Sequence, residues 1–272
     1  VNAFALFAYG LHVLQTEIIT SRENQIFKRL KKLAESSRER RETRTTLLDG
    51  EHLIEAYLDM RARPLTLLHA ASCSPDIWQP LASRCDDTKV VAISDKLFTE
   101  LSPVETPTGI IAEVAWLEAR PAGNIPLVLL LEDIQDPGNL GSLLRSAAAA
   151  GATLAVLSKG CADAWSPKCL RGGQGAQFVL PLLLRADLPG WIRSAGIPVW
   201  ALALGGEQIV FDLDFSGPAG ILVGNEGAGL SPEILEAASA RVQIPMPGGV
   251  ESLNAAAAAA IALFEAVRQR NC

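Results

Sequence analysis

Histidine is scarce in this chain: His12, His52 and His69 are the only three, and all lie in the first third of its 272 residues. A Ser–His–Asp triad or a histidine-built metal centre in the second half is thereby excluded. The five cysteines (Cys73, Cys85, Cys161, Cys169 and Cys272) are odd in number and none stands in a CxxC pair. Neither a zinc site nor a disulfide framework follows, and reduced, partly buried thiols in a cytoplasmic protein are the expectation. No apolar run reaches the roughly 20 residues of a spanning helix, so no membrane partner is expected. The start "VNAFALFAYGLHVLQTEIIT" has an apolar part of about 12 residues, without the basic n-region of a signal peptide or the arginines of a mitochondrial leader. It reads as an N-terminal extension, residues 1–16, and Val1 in place of Met points to trimming or renumbering. No GxGxxG follows a strand, and no internal repeat occurs.

What is present suits a soluble protein of two domains: 49% hydrophobic residues and 20% charged ones. The net charge of −6 does not suggest a polyanion partner, but the charge is unevenly spread. Residues 22–44 hold nine Arg and Lys against four Glu, a local net of +5. Two readings stand side by side: a polyanion-binding surface, or a solvated helix face with internal ion pairs.

Along the chain, Ser21 is a candidate N-cap for a basic amphipathic helix with Ile26, Leu30 and Leu33 on its apolar side. Strand-like and helical stretches then alternate, "TTLLDG", "EHLIEAYLDM", "PLTLLHA", "SPDIWQPLASRC", "TKVVAIS", "DKLFTELSP", "GIIAEVA", which predicts a small α/β domain over 17–118. A Pro/Gly-rich linker over 119–126 leads to a second α/β series over 127–272. There, strands are predicted at 127–131, 153–157, 178–180, 197–203, 220–223 and 241–244. Helices are predicted at about 139–150, 187–195, 231–239 and 253–270. Such alternation implies a mainly parallel sheet with ligands at the carboxyl ends of its strands.

Three loops at those ends are polar in a mostly apolar domain. In "EDIQDPGNLGSLLRSAAAAGA", Asp136 before Pro137 is one candidate N-cap and Asn139 another. Gly138 and Gly141 let backbone approach a ligand, and Arg145 shares the helix face of Gly141. In "ILVGNEGAGLSPE", three glycines surround Glu226 at a strand end. In "VQIPMPGGVESLNAAAAAAIALFEAVRQR", Ser252 or Asn254 caps a long, thin helix. Asn139, Arg145, Glu226, Ser252 and Asn254 are expected to converge at one sheet edge. One cation, one carboxylate and three neutral hydrogen-bonding groups are poor equipment for hydrolysis. They suit a reaction whose activated group is carried by a cofactor while the protein aligns the partners.

"QDPGNLGSLLRSAAAAGA", "LVGNEGAGLS" and "IPMPGGVESLNAAAA" resemble, in order, the three motifs of the SpoU (TrmH-like) RNA ribose 2′-O-methyltransferases of the SPOUT superfamily. "IITSRENQIFKRLKKL" with "LLDGEHLIEA" looks like the substrate-binding domain that many of these enzymes carry first. The resemblance implies a C-terminal α/β domain with a deep trefoil knot, S-adenosylmethionine as cofactor, and a homodimer with its active sites at the subunit interface. No metal is implied. It places Asn139, the catalytic Arg145, Glu226, Ser252 and Asn254 on motif positions, and backbone contacts to the cofactor at Leu204, Gly224, Ile244 and Leu253. Ala255 stands where the third motif usually has Val, and Gly173 where the family often has Ser.

On this reading Arg145 helps a ribose 2′-hydroxyl attack. A guanidinium stays protonated, so Arg145 either aligns an RNA phosphate that takes the proton, the version preferred here, or has a perturbed pKa. Asn139 holds Arg145 or the ribose, Glu226 orients Asn139 or Arg145, and Ser252 and Asn254 shape the cofactor pocket. Arg22, Lys28, Arg29, Lys31 and Lys32 join Arg145 as RNA contacts. Ribosomal RNA is the favoured substrate and transfer RNA the alternative. The competing readings are a non-enzymatic RNA-binding protein on the same fold and a nucleotide-dependent oxidoreductase, the latter opposed by the missing GxGxxG.

Overall fold

The computed structural model describes residues 18–85, 88–102, 107–120 and 126–271, so the expected extension 1–16 lies outside the described residues. The chain divides into two units between Ala115 and Trp116.

In the first unit Asn24, not Ser21, opens the leading helix. Its Oδ1 accepts from the amides of Ile26 and Phe27, at 2.9 and 3.4 Å, ahead of α1 (Gln25–Glu35). The expected single basic helix breaks at Ser36, whose extended backbone ends α1 and whose Oγ caps α2 (Ser37–Thr43). Then follow β1 (Thr45–Asp49), α3 (Glu51–Asp59), β2 (Thr66–Ala70), α4 (Pro75–Ser83), β3 (Lys89–Ile93), α5 (Asp95–Leu101) and β4 (Ile110–Ala115), in the order the alternation predicts. The sheet runs β1-β4-β2-β3, with β4 antiparallel to both neighbours and β2 parallel to β3. Phe27, Leu30 and Leu33 at helical spacing, with Leu97, Phe98 and Leu101, cover Leu47, Leu68 and Val91 on one face of it.

The second unit contains β5 (Leu127–Leu131), α6 (Pro137–Ala149), β6 (Leu154–Ser158), α7 (Pro167–Gly173), α8 (Ala176–Val179), β7 (Leu182–Ala186) and α9 (Leu188–Ser194). It continues with β8 (Val199–Leu202), β9 (Gln208–Ile209), a 3-10 turn at Val210–Asp212, β10 (Ala219–Val223), α10 (Pro232–Ala237), β11 (Ala240–Gln243) and α11 (Ala255–Arg270). Asp136, Ser166 and Ser231 each cap a helix whose first residue is proline, fixing where α6, α7 and α10 leave the sheet. All seven strands are parallel, in the order β7-β6-β5-β10-β8-β11-β9. The central pair β5 and β10 is buried throughout, as an apolar run covered on both faces must be.

β10 lies between β5 and β8; β11 pairs on the far side of β8, while α11, last in the chain, returns across β10 to α6. This is the knotted α/β arrangement that the resemblance implies. Its last turn is tied down: Arg270 donates to the carbonyls of Phe215 and Gly217, at 2.9 and 2.7 Å, and Gln269 bonds Leu213 and Phe215. One strand was expected in the wrong place. Residues 176–179 form α8, and the strand begins only after Pro181. Leu180 is extended (φ −98°, ψ 118°) because the residue before a proline is kept out of the helical region.

Candidate active site

The loops after β5, β8, β10 and β11 gather at one edge of the sheet. Asp136 settles the first of them. Its Oδ1 accepts the Asn139 amide at 2.8 Å, so Asp136 is the cap and Asn139 sits in the first turn with its side chain not used in capping. The Asn139 amide bond, and then Lys168 at 3.1 Å from Oδ2, hold the Asp136 carboxyl below its usual range.

Asn139, Glu226 and Asn254 form one chain of hydrogen bonds. Asn139 Nδ2 donates to Glu226 Oε1 at 2.9 Å, and Asn254 Nδ2 donates to Asn139 Oδ1 at 3.1 Å. The direction is fixed from the far end. Asn254 caps α11, and its Oδ1 must accept the amides of Ala256 and Ala257, at 2.9 and 3.4 Å. Its amide nitrogen therefore faces Asn139, whose own nitrogen faces Glu226, which as a carboxylate can only accept. Of the two expected caps of that helix, Asn254 is the cap; Ser252 lies exposed at the rim.

A cavity of about 680 Å³ opens beside this chain. Leu204, Gly224, Ile244, Leu253 and Ser252 all line it, together with Asn139, Glu226 and Asn254. No Lys, Arg or His is among its lining residues, and Glu226 is the one charged group there. Among the described residues, no hydrogen bond takes up the backbone groups of Leu204, Ile244 or Leu253. Free amides and carbonyls, apolar walls and a lone carboxylate fit a cationic, adenosine-bearing cofactor such as S-adenosylmethionine. They do not fit a dinucleotide diphosphate, which wants cations or a glycine-rich helix start. Among the described residues, no cluster of three or more His, Cys, Asp or Glu is placed to hold a metal.

Arg145 does not join the others within the chain. It stands six residues beyond Asn139 on α6, about 9 Å along the axis and on a different face. It is exposed, does not line the cavity, and has no hydrogen-bond or ion-pair partner among the described residues. The glycines near it serve packing rather than ligand approach. A Cβ on Gly141 would come within 2.7 Å of Gly173 N, and Gly172 lies against Gly138 and Gly141, so α7 occupies the space the sequence reading left for a ligand.

In the first unit the basic segment is largely paired. Arg22 bonds Glu100, and Lys28 pairs with Glu23. Arg29 bonds the buried Glu113 at 2.7 Å, and Lys31 reaches Glu35 and the Glu100 carbonyl. Arg40 is buried and donates to the Leu33 and Ala34 carbonyls at the end of α1. Lys32 is exposed and has no such partner among the described residues. Two features escaped the sequence reading. One is α7, with its Lys168; the other is Asn225, whose Oδ1 accepts the amides of Gly227 and Ala228, both at 2.9 Å. Asn two residues before Gly is a turn signal that could have marked it.

Residues 126–264 match the SpoU rRNA Methylase family, and residues 24–112 match the MRM3-like substrate binding domain. The chain is 34% identical to 23S rRNA (guanosine(2553)-2′-O)-methyltransferase RlmP of Bacillus subtilis, over 90% of this chain and 97% of that one. It is 36% identical to 23S rRNA (uridine(2479)-2′-O)-methyltransferase of Streptomyces viridochromogenes, over 75% of this chain and 76% of that one. Among solved structures it resembles the SpoU methyltransferase AviRb from Streptomyces viridochromogenes in complex with AdoMet. The TM-score is 0.81 at 32% identity, covering 91% of this chain and 98% of that one. An AdoMet-bound rRNA methyltransferase from Sinorhizobium meliloti gives a TM-score of 0.77 at 30% identity, covering 93% and 98%.

Proposed function

Because the chain belongs to the SpoU rRNA Methylase family, we propose that it transfers a methyl group from S-adenosylmethionine to a ribose 2′-hydroxyl of ribosomal RNA. The observation that carries the chemistry is the ordered chain Glu226–Asn139–Asn254 at the rim of a cavity whose lining has no cation. Relatives that act on 23S rRNA, one of them matching most of this chain, support ribosomal RNA as the substrate class.

The cofactor supplies a methyl group already activated as a sulfonium, so the protein's work is holding and alignment. Backbone groups of Leu204, Gly224, Ile244 and Leu253 hold it, and Ser252 and Asn254 shape the rim. Asn139, its amide oriented by Glu226, holds the ribose. The Arg145 guanidinium grips an RNA phosphate bidentately beside the attacking hydroxyl, so that the phosphate takes the proton.

A second copy of the chain completes the site. Arg145 lies on a different face of α6 from Asn139 and does not line the cavity, and α11 is apolar on more than one side. Ala259, Ala262, Leu263 and Ala266 are buried on α11, while Phe264 remains 48% exposed. A helix with apolar residues on two of its sides expects cover on both. The first unit serves as the RNA-gripping domain through Arg22, Lys28, Arg29, Lys31 and Lys32. Apart from Arg29, held on the buried Glu113, these ion pairs are exposed and worth little, so phosphates can displace their carboxylates. Free Cys73, Cys85, Cys161 and Cys169 fit a reducing compartment such as the cytoplasm. Among the described residues no helix is long and apolar enough to cross a membrane.

Calorimetry tests the cavity reading. S-adenosylhomocysteine is expected to bind one per chain and NAD(P) not to bind; the reverse result would overturn it.

A further inference from the structure

The side chain that does most to hold the Glu226 loop in place is Asn225. Its Nδ2 donates to the Asp133 carbonyl at 2.9 Å, across to the loop after β5. Its Oδ1 accepts from Gly227 and Ala228, and its backbone exchanges two hydrogen bonds with Gly229, at 3.1 and 2.9 Å. The loop after β10 is thus closed into a ring, with Glu226 at its tip. Gly224 is needed at the base, because a Cβ there would meet the Gly229 carbonyl carbon at 2.6 Å.

The anchor at the far end is itself fixed. Asp133 adopts φ 53°, a left-handed conformation that a non-glycine residue keeps only when its surroundings demand it. Its amide donates to Ser158 Oγ at 2.9 Å, and its carboxylate accepts from the same hydroxyl at 2.5 Å. Ser158 ends β6, Asp133 follows β5, and Asn225 follows β10. Three strand ends are therefore linked, and the last link adjoins the carboxylate that orients Asn139. A second tie runs parallel, from the Ser231 amide to Glu132 Oε2 at 2.8 Å, but it leaves the tip of the loop unsupported.

We propose that Asn225 is a positioning residue for the methyl transfer: by joining the loop after β10 to the Asp133 carbonyl, it sets the distance between Glu226 and Asn139. The inference rests on the methyltransferase reading above. Asn225→Asp keeps an oxygen for the two loop amides but loses the donor to Asp133. Asn225→Ala loses both.

The test is a double-mutant cycle on kcat, using wild type, Asn225→Asp, Glu226→Ala and the double variant. S-adenosylhomocysteine affinity and thermal midpoint are measured on each. If Asn225 acts through Glu226, Asn225→Asp alone lowers kcat on the order of 100-fold with its folding midpoint retained. Added to Glu226→Ala it lowers kcat little further, because neighbours in one network are not additive. Full multiplication of the two losses would overturn the proposal. So would unchanged kcat in Asn225→Asp, or a kcat loss accompanied by a matching drop in thermal midpoint. An inactive wild type would count against the methyltransferase reading instead, so the two failures are distinguishable.

Discussion

The side-chain amide of Asn139 donates to the carboxylate of Glu226 at 2.9 Å, although the two residues stand 87 positions apart. The parallel sheet makes this contact, since β5 and β10 are neighbours and both release their loops at the same edge. Glu226→Ala frees the Asn139 amide to rotate. A fall in kcat on the order of 100-fold is expected. Glu226→Gln keeps an accepting oxygen and should lose much less. Equal losses in steady-state assays of the two variants would show that the oxygen does not orient Asn139.

Arg145 lies on another face of the same helix, so the site is expected to be shared between protomers. Arg145→Ala and Glu226→Ala should each lose methyl transfer by orders of magnitude as homodimers. Differently tagged chains, co-expressed and purified as the mixed dimer, should regain activity, because one of the two sites then has both residues. An inactive mixed dimer would place Arg145 and Glu226 in one protomer's site.

Gly141 has no room for a side chain against α7. Gly141→Ala pushes a methyl toward the backbone of Cys169 and Gly173, and overpacking of this kind costs about 1–3 kcal/mol. Chemical denaturation of the second unit should show a loss in that range. A variant as stable as wild type would mean that α6 and α7 separate freely.

Glu265 is held at a pKa of about 2, down from 4.5, by hydrogen bonds from Arg268 and then Gln269. A depressed carboxylate stabilises the fold above its unfolded pKa, and the contribution disappears as pH falls through the folded one. Glu265→Gln should therefore lower the melting temperature at pH 7, with the gap to wild type closing between pH 4.5 and 2. A gap that stays constant over that range would contradict the assignment.

Much of this was legible from the residues. β5 and β10 announce themselves as unbroken apolar runs, and the capped prolines mark where α6 and α10 begin. The four residues Asn139, Glu226, Ser252 and Asn254 stand out because their loops are polar in an apolar domain. Short apolar stretches were less clear, since "AQFVLPLLL" has no period that separates a single helical turn from a strand. Ser36 was missed as a break because a serine inside a basic run can be a helix position or a cap. The separation of Arg145 from the network was passed over, although a six-residue offset on one helix already puts Asn139 and Arg145 on different faces.

The decisive measurement is transfer of labelled methyl from S-adenosylmethionine to unmodified ribosomal RNA, free and in ribosomal particles, followed by alkaline digestion. A 2′-O-methyl group blocks cleavage at its own phosphodiester, so label is expected in an alkali-resistant dinucleotide. Label released in mononucleotides would mean that a base, not a ribose, is methylated, and would contradict the assignment of Asn139 and Arg145 to a ribose hydroxyl.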